Sequence, residues 1–471
     1  MVVLAIAAVL AVVQPGPVKG WLAFNDRANT TTPTAAAPVP EPTPTAVLQA
    51  ANANAPAPTA AGVAAAIGQL AVAEPLGSSV HISVVDVATD QTLFQLNADA
   101  PATPASTTKL LTAATVLAAR GPAYRLSTRV VAGSKPGEVV LIGGGDPTLA
   151  VNSAALFPGA ARLDKLAAQV KKALGGTKPT KVIIDTSLFS GPTTAVGWSS
   201  GLISPEGQVA AIQSLMTNAG RVKPVHHEPG ADPRFSDPAL AAGIAFARQL
   251  GLPSSAVSRG KAPVAAAPAT GASEPATADA TPGAELGKVQ SPPLVRIVEW
   301  MLQQSDNVIA ETMGRQVALA AGKPASFDGA AAAMIDKINA LGLPGDEANL
   351  YDASGLTRHN GISPTLLTSL LALVARGEHP ELTSLFASLP VAGWSGTLAS
   401  RFATPSPNKV GQGVVRAKTG SLTGVNTMAG ELVTKDGRLL VFAVMADHTG
   451  EAIAARQALD RIVARLVQCG C

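Results

Sequence analysis

Apolar positions change their spacing several times along the 471 residues, and each change predicts a different kind of element. Val2 to Val13 is an unbroken apolar run closed by Gln14-Pro15-Gly16. It suits the hydrophobic part of an export signal and is short for a membrane span. No basic stretch precedes it, so residues 1–20 read as a signal peptide or as an uncleaved anchor. From 21 to 65 the pattern dissolves into Ala, Pro and Thr, as in Thr30-Thr31-Thr32-Pro33-Thr34, which predicts an extended tether. Strand-like stretches follow at Val80–Val87 and Thr92–Leu96, joined as a hairpin across Thr89-Asp90-Gln91.

The spacing then turns helical. Leu110, Leu111, Ala114 and Leu117 fall on one stripe facing a core. Beyond Gly121, strands are predicted at Arg129–Ala132, Glu138–Ile142 and Lys181–Asp185, with helices near Leu163–Leu174 and Leu240–Leu250. Residues 262–285 return to Ala, Thr and Pro and read as an exposed loop. Helices resume at Pro292, with Leu294, Ile297, Trp300 and Met301 on one stripe, and run on through Leu319 and Ile335. Three strands close the pattern at Gly413–Lys418, Asn426–Leu432 and Leu439–Met445, before an amphipathic helix over Ala452–Leu466. Two early and three late strands can share one sheet. That makes 66–125 and 286–471 a discontinuous domain and 126–285 an insertion.

Composition narrows the function classes. Net charge is +3, charged residues are 14% and aromatics 3%, so no basic, aromatic-studded surface for nucleic acid is predicted. The six histidines show no ligand spacing, and no metal is predicted. Cys469 and Cys471 leave a reactive tail, a local disulfide and an intermolecular link all open. Their scarcity elsewhere suits an exported enzyme that does without disulfides.

Chemistry concentrates in three places. Ser106 opens the Leu110 helix, and Lys109 lies one turn on, on the same face. A serine hydroxyl needs a neighbouring base, and a desolvated lysine can serve. Capping the helix is the other use open to Ser106. The same spacing at Ser258/Lys261 and Ser406/Lys409 opens no apolar helix. Ser305-Asp306-Asn307 falls at a helix junction, where a hydroxyl can relay a proton and an amide can hold a substrate or Lys109. Lys418-Thr419-Gly420 is predicted to end a strand. Lys418 there offers charge to a carboxylate, and Gly420 lets a substrate strand lie close. The Ser421 N–H can complete an oxyanion hole with that of Ser106.

In this order the three motifs resemble those of active-site-serine penicillin-binding proteins and serine β-lactamases. Five stretches narrow the likeness: Pro104–Leu110, Gly144-Gly145-Asp146-Pro147-Thr148-Leu149, Ser291-Pro292-Pro293-Leu294, Asp352–Arg358 and Gly420-Ser421-Leu422. Over about residues 75–468 the chain resembles the class C, type 4 group, the D-alanyl-D-alanine carboxypeptidase/endopeptidases of peptidase family S13. The resemblance implies an α+β fold, an antiparallel five-stranded sheet flanked by helices, with one or two domains inserted between the first two motifs. It implies no cofactor, peptidoglycan stem peptides as substrate, β-lactams as covalent inhibitors, and an extracytoplasmic location. It makes Ser106 the nucleophile and Lys109 its base. Ser305 and Asn307 become relay and positioning groups, and Lys418 and Thr419 bind the terminal carboxylate. Ala353 stands where family members carry glycine. Nothing resembles the glutamate loop with which class A β-lactamases release their acyl group, which implies slow release of β-lactams. Two alternatives stand beside this reading: a β-lactamase of the same fold, and a non-catalytic cell-wall-binding or β-lactam-sensing module.

Overall fold

The computed structural model describes residues 51–227, 232–264 and 281–471. The apolar run, the tether up to residue 50 and residues 265–280 of the predicted loop lie outside the described residues.

The first helix, α1 (Ala60–Ala71), is capped by the Thr59 hydroxyl, which accepts from the Gly62 N–H. It buries Val63, Ile67 and Ala71, spaced four apart, and so corrects the tether reading for residues 60–65. An alanine-rich composition masked that stripe. Strands β1 (Ser79–Asp86) and β2 (Gln91–Leu96) follow, then a short turn at 105–107 that feeds α2 (Thr108–Arg120). The middle of the chain supplies β3 (Ser127–Ala132), β4 (Glu138–Ile142), α3 (Leu163–Ala173), β5 (Lys181–Asp185), α4 (Pro238–Gln249), β6 (Val257–Arg259) and β7 (Glu285–Gln290). Helices α5 (Leu294–Gln304), α6 (Asn307–Ala320), α7 (Phe327–Ala340) and α8 (Pro364–Arg376) come next. The last elements are β8 (Arg416–Leu422), β9 (Val425–Val433), β10 (Leu439–Asp447) and α9 (Ala452–Val467).

One antiparallel sheet runs in the order β8-β9-β10-β1-β2, so the two early and three late strands do pair as the pattern predicts. Its middle is covered on both faces, which is why β10 is nearly all apolar. Val441, Ala443 and Met445 point to the helical core with Leu110, Leu117, Ile309 and Leu367. Leu440, Phe442 and Val444 point the other way, to Ile67 of α1 and Leu459 and Ile462 of α9. This two-residue alternation fixes the register of the sheet.

A second, mixed sheet runs β6-β5-β4-β3-β7, with α3 and α4 sharing its core. It revises the predicted insertion in two ways. Strand β7 pairs with β3, so the inserted sheet reaches Gln290, past the predicted boundary at 285. Conversely, Ala195, Val209, Ile212 and Met216 pack into the helical core with Leu110 and Met313. The insertion is therefore interrupted by a segment that belongs to the main core.

At one end of the main sheet, Arg438 donates to both carboxylate oxygens of Asp86, at 2.5 and 2.6 Å, and to the Ala55 carbonyl at 3.3 Å. Both side chains are buried. Removing one partner strands a buried charge. Asp86→Ala is expected to cost about 3–5 kcal/mol in urea unfolding.

Candidate active site

Ser106 sits in the turn between Pro104 and α2, and neighbours clamp that turn from two sides. From β9, the Thr427 hydroxyl donates to the Pro104 carbonyl at 2.8 Å. From the 352–357 loop, Gly355 approaches so closely that a Cβ would lie 1.7 Å from the Ala105 oxygen. With φ of +79°, that position takes glycine on both counts. Asp352 shapes the loop by accepting from the N–H groups of Gly355 and Thr357, both at 2.7 Å.

One turn past Ser106, in the first turn of α2, Lys109 is fully buried, and its Nζ meets three groups. It reaches the Ser106 Oγ at 2.9 Å, the Asn307 Oδ1 at 2.7 Å and the Ser354 carbonyl at 2.7 Å. Burial brings the ammonium down to about 8, against the opposing pull of Asp352, Glu311 and Asp306. A free amine has two N–H bonds and one lone pair. The amide and carbonyl oxygens are acceptors only and take the two hydrogens, which leaves the lone pair facing the Ser106 hydroxyl.

The middle motif bends the chain. Ser305 closes α5 in the left-handed region, with φ of 55°. Asp306 caps α6, its Oδ1 accepting from the Ile309 N–H at 3.0 Å, while its Oδ2 faces Arg221 Nη1 at 2.9 Å. Burial raises the Asp306 carboxyl, but the charges of Arg221 and Arg234 overcome it and bring the group down to about 2. Arg221 is paired in turn with Asp232 at 2.7 Å. Anchored this way, Asn307 sends Oδ1 to Lys109 and donates from Nδ2 to the Gln208 carbonyl at 2.9 Å. Ser305 stands half-exposed beside it.

The third motif lies within β8, which continues to Leu422 before the two-residue turn at Thr423-Gly424. The predicted strand end at Lys-Thr-Gly is thus corrected, because Gly424 with its φ of +71° makes the turn instead. Lys418 is buried and donates to the Thr419 carbonyl at 2.7 Å. The Thr419 and Thr397 hydroxyls bond at 2.8 Å. Gly420 abuts the Ser106 turn, since a Cβ there would lie 2.9 Å from the Ser106 nitrogen. Ser421 is exposed. The structure thus brings Ser106, Lys109 and Asn307 into direct contact and lays Gly420 against them, with Lys418, Thr419 and Ser421 on the same strand.

Sequence reasoning named the stretch that begins at Asp352 without giving that carboxylate a role, and it missed the partners Glu311, Arg221, Gln208 and Thr397. Of these four, Glu311 carried a readable signal, being one helical turn past Asn307 and on its face. Beside the site lies a cleft of about 960 Å³ whose lining includes Gln304, Trp300, Trp394, Gly396 and Arg416.

A serine hydroxyl 2.9 Å from a buried lysine amine, with a strand edge closing on the serine N–H, is the arrangement that serine acyl transfer with an amine base requires. The family model described as the D-Ala-D-Ala carboxypeptidase 3 (S13) family matches residues 63–269 and 267–466, and the chain belongs to that family. It is 38% identical over 418 residues to Carboxypeptidase Rv3627c of Mycobacterium tuberculosis, a match covering 88% of this chain and 85% of that protein. Among solved structures, it is similar to penicillin binding protein 4 from Haemophilus influenzae, at a TM-score of 0.64 and 22% identity. That likeness covers 86% of this chain and 99% of the other. The complex of the Haemophilus protein with a β-lactam gives a TM-score of 0.60 and 23% identity over 85% and 97% of the two chains. Both structural likenesses speak to the fold.

The Asp306–Arg221 pair yields a pH signature. A carboxyl held low in the folded state stabilises it above the unfolded value and loses that contribution as pH falls through the folded one. Asp306→Asn is expected to reduce stability at neutral pH by about 3–5 kcal/mol. In urea unfolding at a series of pH values, the gap to wild type should narrow as pH falls from 3.8 to about 2.

Proposed function

We propose that the chain is a serine D-alanyl-D-alanine carboxypeptidase acting on peptidoglycan stem peptides through an acyl-enzyme on Ser106. The observation that carries this reading is the Lys109 amine, buried and pinned by two acceptors with its third direction on the Ser106 hydroxyl. Family membership supplies the substrate class.

In the reaction, Ser106 Oγ attacks the carbonyl of the penultimate D-alanine while its proton passes to the Lys109 lone pair. The carbonyl π electrons move to its oxygen, and the resulting oxyanion faces the N–H groups of Ser106 and Ser421. Collapse expels the amine of the terminal D-alanine, which takes its proton from the Lys109 ammonium through Ser305 and leaves Lys109 a free amine again. Lys418 and Thr419 hold the terminal carboxylate, and Asn307 keeps both Lys109 and the substrate amide in register. Water then attacks the ester while giving a proton to Lys109, and as the acyl–Oγ bond breaks that proton returns to Ser106 Oγ and the shortened peptide leaves as a carboxylic acid. A β-lactam enters by the same attack, its ring C–N bond breaking to leave a penicilloyl ester. The wall polymer lies outside the cytoplasmic membrane, and Val2–Val13 supports export, as a signal or as an anchor.

The test is release of D-alanine from a peptide ending in D-Ala-D-Ala. Wild type is expected to turn over, and Ser106→Ala and Lys109→Met to fall by about a thousandfold or more. Because the free amine is the active form, the wild-type rate should rise with pH through about 8. Full activity in Ser106→Ala would reject the reading.

A further inference from the structure

Glu311 is a fully buried carboxylate that the reaction as written does not use. It lies on α6 one turn past Asn307, and a single oxygen, Oε1, accepts from two successive N–H groups, Ala353 at 3.1 Å and Ser354 at 2.9 Å. Ser354 is the residue whose carbonyl receives a hydrogen from Lys109 Nζ at 2.7 Å. Thr112 holds the neighbouring Ala353 carbonyl at 2.6 Å. The loop is thus gripped by α6 through its amides and by α2 through its carbonyls.

We infer that Glu311 is a positioning residue for the Ser106–Lys109 pair: it aims the Ser354 carbonyl at Lys109 Nζ, and its charge sets how readily that amine accepts the serine proton. This rests on Lys109 being the base. If the Ser354 carbonyl swings away, one of the two pins on the amine is gone and the lone pair no longer faces the hydroxyl. The charged groups around the pair come from each packed element. Lys109 is on α2, Asp306 caps α6 and Arg315 is on it, Asp352 is on the loop, and Lys418 is on β8, whose Gly420 abuts Ser106. Arg315 Nη1 lies 3.5 Å from Glu311 Oε2. Burial and the repulsion of Asp352 raise the Glu311 carboxyl to about 7, against the pull of Arg315. Once ionised, Glu311 favours the Lys109 ammonium, and removing its charge favours the free amine.

The experiment is the second-order rate of benzylpenicillin acylation against pH for wild type, Glu311→Gln and Glu311→Asp. Glu311→Gln keeps an acceptor and loses the charge, so its acidic limb should move to lower pH, by on the order of one unit. Glu311→Asp keeps the charge but is one methylene shorter, so its limb should stay while its plateau falls about tenfold. Folded variants with the wild-type profile would overturn the proposal, as would equal losses at every pH with both limbs unmoved. Should either variant fail to fold, Lys109→Met supplies the reciprocal readout. Losing that cation should raise the pH at which the Glu311 carboxyl titrates by carbon-13 NMR, and an unchanged titration would overturn the coupling. Absence of wild-type acylation at Ser106 would instead reject the carboxypeptidase reading itself.

Discussion

An amine without water is the constraint around which this molecule is arranged. A lysine can serve as a free base near neutral pH only where burial is deep enough to penalise the ammonium, and burial brings Lys109 down to about 8. Burial alone is not sufficient, because an unsatisfied buried amine is costly and badly aimed. Asn307 and the Ser354 carbonyl solve both problems by taking its two hydrogens.

Each pin is itself held from a distance. Asn307 depends on the Asp306 cap, and Asp306 on Arg221, which comes from the segment interrupting the inserted sheet. Ser354 depends on a loop fastened by Asp352 and Glu311 and pressed against the Ser106 turn at Gly355. The main sheet contributes the third wall, with Thr427 and Gly420 fixing the turn that carries Ser106. Long-range packing therefore converges on a few ångströms around one nitrogen. This accounts for ionic groups so far inside: Asp306, Glu311, Arg315 and Lys418 are all buried. Buried charges add little net stability, but they specify one geometry where apolar groups would tolerate several.

The sequence made part of this legible. The strands of the main sheet were readable because short apolar runs bounded by turns are local signals, whereas their order within the sheet came only from the structure. The three motifs were readable because reactive residue types recur at short fixed spacings, two of them at helix starts and the third inside a strand. Helix α1 was not, since Val63 and Ile67 are thinly spread among alanines whose composition imitates a linker. Nor was the return of residues near 209–216 to the main core, because nothing local says which of two cores an apolar segment joins. The supporting partners were hidden for a related reason. Asp352, Glu311 and Arg221 act through contacts between residues far apart in the chain, and only Glu311 shares a helix with a motif residue.

The central claim is that Ser106 is the group that forms the covalent bond. Intact-protein mass after benzylpenicillin treatment, followed by mapping of the modified peptide, tests it most directly. The account predicts a persistent penicilloyl adduct on the peptide carrying Ser106, absent from Ser106→Ala. An adduct on any other residue, or one retained in Ser106→Ala, would contradict it.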